Sequence, residues 1–320
     1  MQYPTLDDDF GKIKESDSFS GTINFNVSLD SYTTYKIGGC ADTFVTVNNL
    51  LSLILVIKHC KNQGIPFYVI GGGSNLLISD DGFRGVIIKL RGEFKNFEFK
   101  EQENTYKVGS GCSLQSIVKH SVENGMSGIE FCTGTPGSIG GAVKVNAGSA
   151  SEYIGSAVRS IDVLNKNLEV VTIDRSKLIF SYRSSNIPDD CIILSVNIKL
   201  NKANGKDKVI ELKNKYKEKL EFRRQNQPLN FPSCGSVFKN PKHSSAGYLI
   251  DSLGIKGMRH GGACVSEKHA NFIINKKNAT ARDVVYIINY IQKKVYDKYK
   301  IKLLPEVKFL GFDKQVSLFN

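Results

Sequence analysis

The feature that most constrains this chain is a glycine run placed at the end of a buried strand. Pro66-Phe67-Tyr68-Val69-Ile70 is apolar and β-prone, and it passes directly into Gly71-Gly72-Gly73-Ser74-Asn75. A loop in that place turns backbone amides toward whatever lies beyond the sheet edge. The strand belongs to an alternating series. Phe44 to Val47 is strand-like, Leu50 to Gln63 reads as an apolar helix stopped by Gly64, and Gly85 to Leu90 reads as a further strand. The loop also excludes two chemistries. Leu76 stands where G-x-G-x-x-G needs its third glycine, and no P-loop lysine follows, so neither a nicotinamide-type Rossmann site nor a nucleoside triphosphatase is expected.

One glycine loop is as often a plain turn as a site. A second changes the weighing: Gly134-Thr135-Pro136-Gly137-Ser138-Ile139-Gly140-Gly141-Ala142 lies in the next α/β unit. A diphosphate spanning two units needs close backbone approach from both. Around that loop the sequence predicts a hairpin of Asn96 to Lys100 with Thr105 to Val108 and a helix from Ser113 to Asn124. A second hairpin across Asn165 to Asn167 and a strand from Cys191 to Leu200 follow. Asn201 to Lys208 is polar and charged and reads as a linker. Beyond it come a charged helix, Val209 to Arg224, and a last helix that opens on Thr280 with Asp283 in a capping-box relation. In that last helix Val284, Ile287, Ile288, Ile291 and Val295 share one face.

Length and composition bound the rest. The 320 residues, 41% hydrophobic, suffice for two or three domains at about 150 residues each. The N-terminal stretch is acidic and polar where an export signal needs basic then apolar residues, and the longest apolar run, Leu50 to Ile57, is far short of the ~20 residues of a membrane span. A cytoplasmic protein with no membrane insertion is expected. The seven cysteines form no C-x-x-C pair and the five histidines no H-x-x-x-H pattern, so reduced thiols and no metal are expected. The formal charge of +12 is spread along the chain and offset by 31 acids, which argues against a nucleic-acid partner. No obligate protein partner is evident from the sequence.

The stretch Val69 to Ile78, with Gly134 to Gly148 and its ending Val145-Asn146-Ala147-Gly148, resembles the FAD-binding domain of the vanillyl-alcohol-oxidase and p-cresol-methylhydroxylase type. Further stretches narrow the likeness. Thr33-Thr34-Tyr35-Lys36-Ile37-Gly38-Gly39, Tyr182-Arg183-Ser184-Ser185, Cys234 to Pro241, Gly262 to Ile273 and Pro305-Glu306-Val307 are similar, in order, to the UDP-N-acetylenolpyruvoylglucosamine reductase family. The interval from Arg183 to Ser236 is too short for the extra substrate loop of the longer family form, so the resemblance is to the type II branch.

The resemblance implies an α+β chain: a two-part FAD-binding unit, residues 1–92 and 93–205, followed by an α+β substrate-binding domain, residues 206–320. It implies FAD held non-covalently, since Ser74 stands in the stretch where relatives of this fold carry a linking histidine, with NADPH as co-substrate and a UDP-sugar enolpyruvyl ether as substrate. Gly71, Gly72, Gly73, Ser74, Asn75, Gly134, Ser138, Gly140, Gly141, Ala142, Asn146 and Gly148 are the expected cofactor contacts. Ser236 is the expected proton donor, Arg183 the guanidinium that stabilises the substrate carboxylate, and Glu306 a polarising group. A protonated acid and an ion-pair partner remain open for Glu306. Arg223, Lys239, Asn240 and Lys268 are candidate UDP contacts; the His269-Ala270-Asn271 run is expected to be architecture, and Cys234 has no placed base to activate it. An oxidase of the same fold and a non-catalytic UDP-sugar or nucleic-acid binder are the rival readings.

Overall fold

The computed structural model of the chain describes residues 10–11, 13–149, 151–312, 316–317 and 319. The outer ends of the expected first and third domains, Met1 to Asp9 and Asn320, lie outside them. Packing divides the chain into two units, and the division does not run along the sequence. One contains the chain up to Phe25, Thr43–Gly72 and Val86–Phe222; the other contains Asn26–Asp42, Gly73–Gly85 and the chain from Arg223 onward. Linear boundaries at Gly92/Glu93 and Gly205/Lys206 therefore differ from the division by packing.

The first unit holds most of a four-stranded sheet and the whole of a five-stranded one. The four-stranded sheet has the order Gly21–Ser28, Cys40–Val47, Phe83–Leu90, Phe67–Ile70. Phe67 to Ile70 pair in parallel with Val86 to Lys89. The crossover helix Leu50–Asn62 starts where the Asn49 side chain accepts the Ser52 N–H, and its buried face, Leu53, Val56, Ile57 and Cys60, has helical spacing. That face packs with Val45, Val47, Val86 and Ile88. The second sheet is antiparallel, in the order Val170–Asp174, Val158–Leu164, Ile192–Lys199, Thr105–Gly109, Phe97–Lys100. Its core closes under the helix Leu114–Glu123 through Leu114, Ile117 and Val118. Each such fully buried aliphatic side chain contributes about 1.5–3 kcal/mol.

The expected linker is more ordered than its composition suggests. Asn201 and Lys202 pair antiparallel with Ser127 and Met126, and Ala203 N–H bonds the Gly125 carbonyl at 2.8 Å, so only a short turn remains before a helix that already starts at Lys206. Polar side chains outside do not prevent a backbone from joining a ladder.

In the second unit, the helix Ala281–Tyr299 has the expected capping box between Thr280 and Asp283 and buries Val284, Ile287, Ile288, Ile291 and Val295. Asp80 adds to that cap: its carboxylate accepts Ala281 N–H at 2.6 Å and Arg282 N–H at 3.0 Å. Tyr35 is fully buried and its hydroxyl donates to the Ile273 carbonyl at 2.8 Å. These bonds explain why Asn26–Asp42 and Gly73–Gly85 belong here rather than with their sequence neighbours. Among the described residues no helix is long and apolar enough to cross a membrane, and no group of three or more His, Cys, Asp or Glu could hold a metal ion.

Candidate active site

The two glycine loops meet within the first unit, and they meet through backbone. A Cβ on Gly71 would lie 2.5 Å from Ser138 Oγ, and one on Gly72 would lie 2.7 Å from Gly137 Cα. Gly140 is closed off similarly by Ser110, whose Cβ would be 2.7 Å away. Gly141 differs, because its only neighbour within contact range is Ser138 Oγ at 3.3 Å. The first-turn amides of the helix Ile139–Lys144 are already engaged: Ile139 to Cys112 O, Gly140 to Ser110 O, Gly141 to Ser138 Oγ and Ala142 to Ser138 O. The amides of Gly72, Gly134, Gly137 and Ser138 donate to no acceptor among the described residues. Gly134 and Gly137 hold φ of 72° and 117°, a region that glycine alone enters readily. Amides without a protein acceptor, near a glycine that a Cβ would barely crowd, are donors of the kind an anion-binding nest uses.

Other expected cofactor residues also help to build the loops. Asn146 is buried; its amide donates to Ser181 O at 2.8 Å and accepts Gly155 N–H at 3.1 Å. Ser138 is the helix N-cap and Ala142 is buried in the core. Gly148 is occupied by the Tyr153 backbone, with Tyr153 Cα 2.5 Å from a would-be Cβ. Gly73 is packed against the Tyr32-Thr33 turn, with Thr33 Cα at 2.9 Å from a Cβ there. Sequence reasoning passed over Lys89, although it is the one polar residue in Gly85-Val86-Ile87-Ile88-Lys89-Leu90. Its ammonium donates to Gly71 O at 3.3 Å, and burial, with Arg91 and Lys95 nearby, lowers its pKa to about 8.

Arg183 sits at the tip of a tight hairpin. Phe180 pairs with Ser185 and Ser181 with Ser184, leaving Tyr182 and Arg183 as the turn. Arg183 takes φ of 54°, unusual for a side-chain-bearing residue, and its guanidinium carbon lies 6.0 Å from the Tyr182 ring centre. The end of the glycine helix holds the hairpin: Ser185 Oγ donates to Lys144 O at 2.7 Å, beside the Asn146 bond to Ser181.

Ser236 and Glu306 are brought together within the second unit by a short antiparallel pairing. Phe238 bridges Pro305, Lys239 N–H donates to Leu304 O at 2.9 Å, and Glu306 N–H donates to Val237 O at 2.7 Å. Asn271 clamps the first of these segments: its side chain accepts Phe238 N–H at 3.0 Å and donates to Phe238 O at 2.9 Å. The half-buried Ser236 Oγ has no hydrogen bond among the described residues. Cys234 is buried and its thiol is pushed up to about 12, mainly by desolvation and further by the Glu306 charge, so it is a protonated thiol rather than a nucleophile. Burial lowers the His269 pKa, and its Nδ1 accepts Asn271 N–H at 3.2 Å, an architectural bond.

The candidate UDP residues have local partners. Lys268 donates to Arg224 O at 2.7 Å, Asn240 Oδ1 accepts Ala246 N–H at 3.0 Å, and the Arg223 carbonyl accepts Gln227 N–H at 2.8 Å. Lys239 and Arg223 are half-buried, while Asn240 and Lys268 are exposed.

Residues 227–310 match the family model for the UDP-N-acetylenolpyruvoylglucosamine reductase C-terminal domain, and residues 41–174 match an FAD binding domain. The chain is 38% identical over 315 residues to a UDP-N-acetylenolpyruvoylglucosamine reductase of Syntrophus aciditrophicus, covering 98% of this chain and 100% of the relative. The chain belongs to the UDP-N-acetylenolpyruvoylglucosamine reductase family. A relative of the same name from Caldicellulosiruptor saccharolyticus is 40% identical, with 88% of this chain and 90% of the relative aligned. The solved reductase of Thermus caldophilus superimposes with a TM-score of 0.77 at 32% identity, covering 91% of this chain and 99% of that one. The reductase family is one of FAD-dependent oxidoreductases, and the matched FAD binding domain contains both glycine loops. Open amides and an uncovered Gly141 fit that cofactor's diphosphate.

Proposed function

We propose that this chain reduces the enolpyruvyl ether of UDP-N-acetylglucosamine to UDP-N-acetylmuramate, a cytoplasmic step of peptidoglycan precursor synthesis, with NADPH as reductant. The observation that supports the reading is the backbone pairing of the segment that follows Ser236 with the segment that carries Glu306, in a chain that matches reductase relatives over nearly its whole length. FAD, held at the glycine loops, would supply the hydride for the methylene carbon of the enol ether, with NADPH as its source.

The chain's own residues do the rest. Ser236 Oγ gives its proton to the carbon that bears the carboxylate and regains one from solvent, so the double bond gains one hydride and one proton. Arg183 offers paired N–H donors to the carboxylate on which negative charge develops, and Glu306 polarises the same group. Ser74 offers no imidazole for a covalent link, so the cofactor is held non-covalently. NADPH and the UDP-sugar react in turn, in a ping-pong order.

The test is direct. The purified protein should be yellow, release its flavin on acid denaturation, and oxidise NADPH rapidly only when the enolpyruvyl UDP-sugar is added. Peroxide production from a sugar alcohol in air would favour the oxidase reading, and a colourless protein that binds the UDP-sugar would favour a binding module.

A further inference from the structure

We infer that Asn75 is a positioning residue for the Glu306 carboxylate; this rests on the role given to Glu306 above and departs from the expectation that Asn75 contacts FAD. Asn75 straddles Glu306. Its side-chain amide donates to the Glu306 carbonyl at 3.1 Å, while its own carbonyl accepts Lys308 N–H at 2.9 Å. On the other side Glu306 N–H is held by Val237 O at 2.7 Å, one residue from Ser236. Both peptide groups flanking the Glu306 Cα are therefore fixed, one by the Ser236 segment and one by Asn75.

Downstream, Leu76, Leu77 and Ile78 pair in parallel with Lys308, Phe309 and Leu310, so the ladder proper begins only after Glu306. Pro305 offers no N–H, and its contact with Phe238 is an isolated bridge. The Asn75 amide is thus the shorter of two bonds on the peptide that follows Glu306, the other being Val307 N–H to Val237 O at 3.5 Å. Removing the Asn75 amide takes the hydrogen bond from the Glu306 carbonyl and leaves the peptide between Glu306 and Val307 held on its N–H side by the long 3.5 Å bond to Val237 O, which loosens the backbone that aims the carboxylate. Small displacements of a reacting or polarising group are expensive in rate.

The experiment compares Asn75→Asp, which keeps the shape but turns the donor into an acceptor, with Asn75→Ala, Glu306→Gln and the double variant Asn75→Ala/Glu306→Gln. Rapid mixing of the flavin-loaded proteins reads reduction by NADPH and reoxidation by the enolpyruvyl UDP-sugar separately. Both Asn75 variants should keep wild-type flavin content and flavin reduction, and slow reoxidation by about tenfold or more. The double variant should be no slower than Glu306→Gln alone, because a residue acting through another adds nothing once that other is gone. Loss of flavin, or equal slowing of both steps, would mean that Asn75 serves the cofactor and overturn the inference. Reoxidation at wild-type speed in both Asn75 variants would overturn it too. Normal reoxidation in Glu306→Gln would fell the parent reading and this inference together, an outcome distinct from failure of the Asn75 variants alone. Should Asn75→Asp not fold, Asn75→Ala carries the comparison, since it removes the donor without adding charge.

Discussion

A Cβ on Gly72 would stand 2.7 Å from the Cα of Gly137, so at this point the two glycine loops touch as bare backbone. Glycine there serves the protein's own packing as well as a ligand's approach.

Gly72 and Gly141 should therefore respond differently to the same methyl group. Gly72→Ala must push backbone aside and should destabilise the apoprotein by about 1–3 kcal/mol. Gly141→Ala meets only Ser138 Oγ at 3.3 Å and lies in a helix. Its apoprotein should melt within about 1 kcal/mol of wild type while losing flavin. Melting curves of the apoproteins beside flavin absorbance of the holoproteins check both; full flavin content in Gly141→Ala would remove Gly141 from the cofactor site.

Arg183 holds a left-handed conformation at φ 54° that disfavours any side chain. Arg183→Gly should stabilise the fold by about 1 kcal/mol and yet abolish rapid transfer to substrate. Arg183→Lys keeps the charge but not the paired N–H geometry, and should cost about 3 kcal/mol in the same step. Chemical denaturation and rapid-mixing rates separate the two effects, and a destabilised Arg183→Gly would show that the turn itself needs the guanidinium.

Ser236→Ala should make the half-reactions come apart. NADPH-driven reduction should stay near wild type, while reoxidation by the enolpyruvyl UDP-sugar should fall by roughly 10²–10⁴, the range of lost general acid catalysis. Ser236→Cys should recover part of that step. Unchanged reoxidation in Ser236→Ala would assign the proton to another donor.

Lys89 gives a pH dependence of known sign. Burial, then repulsion from Arg91 and Lys95, lowers its pKa from 10.5 to about 8. Between those values the unfolded chain holds a proton that the folded chain does not, so the burden Lys89 places on folding is full below about pH 8 and fades as pH rises to 10.5. Stability of the wild type relative to Lys89→Met should accordingly climb across that window and be flat on either side. Urea midpoints of both apoproteins below, within and above it would show this; a parallel pair of curves would mean that Lys89 keeps its proton.

The sequence by itself determined the local elements and the chemistry they could carry. Gly64, the Thr280–Asp283 capping box and the one-faced apolar spacing from Val284 to Val295 are short-range signals, and each appears where its residues predicted. The ordered motifs also sufficed to identify the family. What the tertiary structure decided was long-range. No spacing rule indicates that Asn75 bonds the Glu306 carbonyl, that Asp80 caps the helix at Ala281, or that Asn146 bonds the Arg183 hairpin. The units interleave along the chain, a division that no local signal in the sequence marks. The physical reason is range: capping and amphipathic periodicity act within a few residues and leave a trace in the sequence, whereas a hydrogen bond between residues far apart exists only once the core has brought their backbones together.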